Sequence, residues 1–126
     1  MKIVFLSVVL FLTVQISTLA QSNEMNYTDC VEKYRSAWGE DCSQCATYND
    51  SYVVYLKNTC EQEIDVMVCV QEDTDDWKRF QHTSMAVGDS LRAYACVGTG
   101  KYLAWARRAG DESVVFPSIE QVNADY

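Results

Sequence analysis

From Ser51 onward the chain alternates. In "EIDVMVCV", Ile64, Val66, Val68 and Val70 fall on one side and Glu63, Asp65, Met67 and Cys69 on the other. That two-residue period is the mark of a half-buried strand, and the β-branched side chains favour it. "YVVYLK" before it is apolar on both sides, which predicts a strand with both faces covered, and the short "NTCEQ" between them predicts a hairpin connection. "QEDTDD" reads as an acidic turn, "WKRFQH" as the strand returning from it, and "VGDS" as the next turn. "SLRAYACV" sets Leu91, Ala93, Ala95 and Val97 against Arg92, Tyr94 and Cys96. "GTG" then reads as a hairpin turn. "KYLAWARR" predicts a strand with Lys101, Leu103, Trp105 and Arg107 opposite Tyr102, Ala104, Ala106 and Arg108; its alanines also suit a helix, but the strand continues the hairpin rhythm. "SVVF" predicts a short last strand ended by Pro117. Ser118, with Gln121 three residues later, forms a capping-box pattern for a terminal helix carrying Ile119 and Val122 on one side.

The earlier part of the chain has a longer period. Cys30, Val31, Tyr34, Ala37 and Trp38 fall at helical spacing, Thr28 is placed to cap, Asp29 and Glu32 suit a helix start, and Gly39 suits a stop. These signals predict a helix over residues 28–38. Residues 39–50 are turn-rich. The fold class expected is therefore mainly β: a small antiparallel sandwich or barrel of about six strands with an N-terminal helix, stabilised by disulfides.

Before all of this lies a leader. Lys2 precedes an apolar run from Ile3 to Leu12, and Thr18-Leu19-Ala20 supplies small residues at a cleavage site. The layout predicts a signal peptide over 1–20, a flexible polar segment over 21–27 and one domain over 28–126. The expected compartment is extracellular or periplasmic, with no membrane span in the mature chain. Without Lys2 the chain has nine cations against 18 acids, a net charge of −9. That balance argues against nucleic acid or an anionic membrane as partner.

Composition matters next through cysteine. Cys30, Cys42, Cys45, Cys60, Cys69 and Cys96 form an even set in a short secreted chain, which reads as a disulfide framework. Three lie in 30–45 and three in 60–96, so full pairing requires at least one bridge between the two regions. Cys42 and Cys45 form a C-x-x-C, but Glu40 and Asp41 beside it would raise rather than lower a thiol pKa, and no helix opens at the pair. Zinc would need Cys30 and His82 in addition, without a second C-x-x-C half. Acidic 72–76 lacks the spacing, glycine and final glutamate of a calcium loop. His82 is the chain's one histidine, and no nucleophile motif surrounds it. No cofactor is implied. Asn26 and Asn49 each open an N-x-[ST] acceptor, relevant if the source glycosylates.

The surface that stands out is cationic and aromatic on an acidic chain: Lys101, Tyr102, Trp105, Arg107 and Arg108. Against it stands the reading that Leu103 and Trp105 are core and that the arginines pair with nearby acids. The function expected is a non-catalytic binding or structural module for a protein or glycan outside the cytoplasm. Two alternatives are a thiol–disulfide redox protein using Cys42 and Cys45, and a small inhibitor of an extracellular enzyme.

Overall fold

The computed structural model describes residues 25–42 and 44–126. The signal-peptide reading of 1–20, and all of 21–27 before Met25, lie outside the described residues. A 3-10 turn, Tyr27–Cys30, leads into β1 (Val31–Trp38). Five more strands follow: β2 (Tyr52–Asn58), β3 (Ile64–Glu72), β4 (Trp77–Met85), β5 (Ser90–Ala95) and β6 (Gly98–Arg108). A helix, α1 (Ile119–Asp125), ends the fold. The strands form two three-stranded antiparallel sheets, in the orders β1-β2-β5 and β4-β3-β6. Among the described residues no helix is long and apolar enough to cross a membrane.

The alternation in the sequence builds the centre. Tyr52, Val54, Leu56, Ala93 and Ala95 from one sheet meet Ile64, Val66, Val68, Val70 and Met85 from the other, all buried. β3 is covered on its second face as well. There Met67 and Cys69 sit beside Leu103 and Trp105 of β6 and pack with Phe116 and Val122. The half-buried strand expected at 64–70 is thus buried on both sides, because the chain after β6 folds back across it.

The helix expected over 28–38 is a strand. β1 pairs with β2 from Val31↔Asn58 to Trp38↔Tyr52, beside the Cys30–Cys60 bridge. A bulge between Lys33 and Arg35 breaks the two-residue period. It shifts Tyr34, Ala37 and Trp38 into helix-like spacing along the sequence. β2 needs hydrogen-bonding partners along both edges, and this tertiary demand outweighs a weak helical pattern.

Two connections and the expected last strand also differ from expectation. "NTCEQ" joins β2 to β3 in the opposite sheet, so it is a crossover and not a hairpin. Buried Asn58 holds it: its Nδ2 donates to the Gln62 carbonyl at 2.7 Å and the Met85 carbonyl at 3.0 Å, and its Oδ1 accepts from Cys60 N at 2.9 Å. "GTG" lies in β6, and the turn before it is Cys96-Val97. Glu72 caps that turn, accepting from Cys96 N at 3.1 Å and Val97 N at 3.0 Å. "SVVF" forms no strand. The Val114 carbonyl accepts from Arg107 instead of from a ladder, and Val115 is 82% exposed. The capping box does form: Ser118 and Gln121 exchange side chain-to-backbone hydrogen bonds at the start of α1.

Gly98 sits where the two sheets approach closely. A Cβ placed there would lie 2.4 Å from Tyr52 Cβ. Gly98→Ala is therefore expected to lower stability by about 1–3 kcal/mol through overpacking, read as a reduced denaturation midpoint. An unchanged midpoint would show that the strands separate at little cost.

Candidate functional site

β6 carries the residues singled out from the sequence, and its alternation divides them. Tyr102, Ala104 and Ala106 pack against the central core. Leu103 and Trp105 face outward over Cys69 and Met67, their partners on β3. Asp65 lies opposite Arg107 in the same register. Lys101 and Arg107 share the outer face but stand six residues apart, roughly 20 Å along a strand. Arg108 points the other way and is exposed, beside a hollow lined by Tyr27 and Glu63. The cations therefore do not form one patch.

Arg107 is a structural residue. Its Nε donates to Asp65 Oδ2 at 3.0 Å, its Nη1 donates to the Val114 carbonyl at 2.6 Å, and its guanidinium lies 5.1 Å over the Phe116 ring. Asp65 is 4% exposed and also accepts from Ser84 N at 2.9 Å and Gly110 N at 3.1 Å. Burial pushes the Asp65 carboxyl up. These hydrogen bonds and the Arg107 charge outweigh it and hold the pKa below the ordinary aspartate value.

Lys101 and Tyr102, by contrast, line a cleft of about 450 Å³ together with Gln71, Trp77, Leu103 and Tyr126. Gly100, at φ +86°, turns the strand at its rim. Gln71 and Trp77 face each other across the β3–β4 pair, and both are more than nine-tenths buried. The Gln71 side-chain oxygen accepts from the Thr99 hydroxyl at 2.8 Å. The Trp77 indole Nε1 is buried and has no hydrogen-bond partner among the described residues. α1 places Tyr126: Asn123 Oδ1 accepts from Trp77 N at 2.8 Å, and the Tyr126 N–H bonds back to the Val122 carbonyl. The Tyr126 ring then stands edge-on to Trp77 at 6.5 Å and to Trp105 at 6.1 Å. Trp105 lines a second cleft on the far side of Tyr126, with Val115, Phe116 and Pro117.

Gln71 had a sequence signal. It continues the face that carries Asp65, Met67 and Cys69, and a buried polar group there needs a partner. Trp77 and Tyr126 had none, since the β3–β4 register and the packing of α1 bring them in.

The cysteines separate into two kinds. Cys30–Cys60 and Cys45–Cys96 are bonded, and both bridges tie the early region to the late one. Full pairing fails. Cys42 is buried with Val53 and Tyr94 on the outer face of one sheet, and Cys69 on the outer face of the other, with the core between them. Cys42 and Cys45 are not bonded to each other, and the Cys42 thiol donates to the Glu40 carbonyl at 3.4 Å. Burial pushes the Cys69 thiol up to about 11, against a smaller opposing pull from Arg79. Cys30 is bonded to Cys60, so the set considered for zinc is not assembled.

The outer face of the β1-β2-β5 sheet gathers charge that the sequence scatters. Arg35 lies 4.8 Å over Tyr55, Lys57 lies 5.7 Å over Tyr34 and Lys78 lies 4.4 Å over Tyr94. Glu40 sits among them. A hydrogen bond from the Tyr55 hydroxyl is the largest cause of its lowered pKa; desolvation opposes it, and Arg35 and Arg92 assist. Arg92 donates to Tyr55 and to the Asp41 carbonyl. These cations are largely satisfied within the fold. Asn26 and Asn49 are both exposed, and the Asn26 side chain caps the opening 3-10 turn through Thr28 N.

Comparison with protein-family models, with curated proteins and with solved structures finds no match, so what this site does is read from its own residues.

Proposed function

We propose that this chain is a secreted, non-catalytic binding module, and that its ligand is a small apolar molecule seated in the cleft beside Trp77. The observation that carries this reading is the cleft itself. Its volume, about 450 Å³, lies in the range of small-molecule sites, and its walls are mostly aromatic and aliphatic with few polar groups. The leader-like residues 1–20 and the two bridges support an oxidising compartment. The partner expected from the sequence is a protein or glycan, with Lys101, Tyr102, Trp105, Arg107 and Arg108 as the candidate surface, and of these the three cations stand apart. Their separation favours a smaller ligand. The redox alternative draws no dithiol pair from this arrangement.

Titration with the uncharged fluorophore N-phenyl-1-naphthylamine tests the proposal. Saturable binding at one site per chain is expected. Leu103→Trp, which adds volume at the cleft wall, should weaken it by about tenfold, or about 1.4 kcal/mol. A wild-type protein giving no saturable signal would refute the reading, as would undiminished binding to a folded Leu103→Trp variant.

A further inference from the structure

We propose further that the ligand is a small aromatic anion, a carboxylate or sulfonate, held in the cleft with its ring against Leu103 and Tyr126 and its acid group near Lys101. This rests on the reading that the cleft binds a small apolar molecule.

The polar groups around the cleft are mostly donors. Trp77 Nε1–H is buried and unpartnered among the described residues. An indole nitrogen donates only, and a buried donor without an acceptor costs about 1–3 kcal/mol. Gln71 has committed its oxygen to the Thr99 hydroxyl, which leaves its NH₂ to face the cleft chemistry as a donor. Lys101 adds a full positive charge at the rim and makes no ion pair among the described residues. Donors plus a cation call for an acceptor that carries negative charge. Such hydrogen bonds are roughly twice as strong as neutral ones. The remaining apolar walls are Leu103 and the Tyr126 ring, which suit a flat apolar ring.

Access is through Tyr126. Tyr126 is 60% exposed and stands at the C-terminal end of a seven-residue helix, its ring in a T-shaped arrangement with Trp77. Rotation of an exposed side chain is fast, on the ps–ns scale. Asp125, next to Tyr126 in sequence, lines the second cleft.

Two dyes that share one ring system separate this inference from the reading beneath it. 1-Anilinonaphthalene-8-sulfonate carries an acid; N-phenyl-1-naphthylamine does not. The sulfonate is expected to bind about tenfold tighter to the oxidised, folded chain, with a native near-UV spectrum as the check on folding. Lys101→Met keeps the apolar stem and removes the charge. It should erase most of the sulfonate's advantage while leaving the neutral dye within about twofold. Trp77→Phe keeps the wall and removes the donor, and should act in the same direction. Arg108→Ala, on the other face of β6, should change neither affinity. If the neutral dye saturates and the sulfonate gains nothing over it, the anion is refuted and the cleft stands. The anion is refuted equally if Lys101→Met leaves the sulfonate affinity unchanged, or if Arg108→Ala is the variant that lowers it. If neither dye saturates, the cleft reading falls together with this one.

Discussion

Reduction of Cys30–Cys60 and Cys45–Cys96 is expected to unfold this domain at ordinary temperature. The bridges close loops with sequence separations of 30 and 51 residues. In the chain-entropy account each restricts the unfolded ensemble by about 4 kcal/mol. Together they approach the whole net stability of a small domain, about 5–15 kcal/mol. Removing one bridge by paired Cys→Ala substitution should lower the thermal midpoint by roughly 15–30 °C, and reducing both should abolish the cooperative transition. The same experiment counts thiols. Alkylation of the denatured, unreduced chain should label Cys42 and Cys69 and no other cysteine; after reduction all six should react. In the folded chain both sites should react slowly, because both are buried and Cys69 is held as a thiol with its pKa pushed up to about 11. A denatured chain with no free thiol would overturn the pairing, and a midpoint unmoved by reduction would overturn its energetic role.

Where apolar, often β-branched residues alternate along a strand that lines the central core, the sequence displays it. β3, β5 and the second half of β6 were legible for that reason, and the capping box announced α1 through local chemistry alone. β1 was not legible. Its residues are mostly exposed, and the bulge at Tyr34 converts an edge strand into helical spacing. Turn residues mark where the chain bends but carry no information about which sheet it enters next. "NTCEQ" and "VGDS" were therefore recognisable as turns, and their role in crossing between sheets was not. Pairing of cysteines is equally non-local: Cys42 and Cys69 are separated by the packed core, which no spacing rule reveals. The candidate site divides in the same way. Lys101 and Tyr102 could be named because cations are scarce on this chain, whereas Trp77 reaches them through strand register and Tyr126 through the return of α1 across β3. Arg107 looked like a binding residue because its partner, Asp65, lies 42 residues away.

That pairing leads to the second large effect. Asp65→Ala should cost about 3–5 kcal/mol, since it strands the Arg107 guanidinium and two backbone N–H groups, those of Ser84 and Gly110. The damage should extend beyond the ion pair. Arg107 holds the Val114 carbonyl and lies over Phe116, so the segment after β6 is tied to the sheet through this one contact set. Limited proteolysis within 111–118 should accelerate in the variant. The pH dependence has a defined sign. The folded-state pKa of Asp65 lies below the ordinary value, so its contribution is complete above the unfolded pKa of about 3.9 and is lost as pH falls through the folded value. The wild type should therefore lose stability below about pH 4 more steeply than Asp65→Asn. Glu40 and Asp111, also lowered, leave a residual slope in that variant. Equal acid slopes in the two chains would refute the assignment. Arg107→Ala should reproduce most of the loss at neutral pH, whereas Arg108→Ala, exposed and unpaired among the described residues, should stay within about 0.5 kcal/mol of wild type. Adjacent arginines on one strand would then differ by several kcal/mol solely because alternation turns one of them toward Asp65.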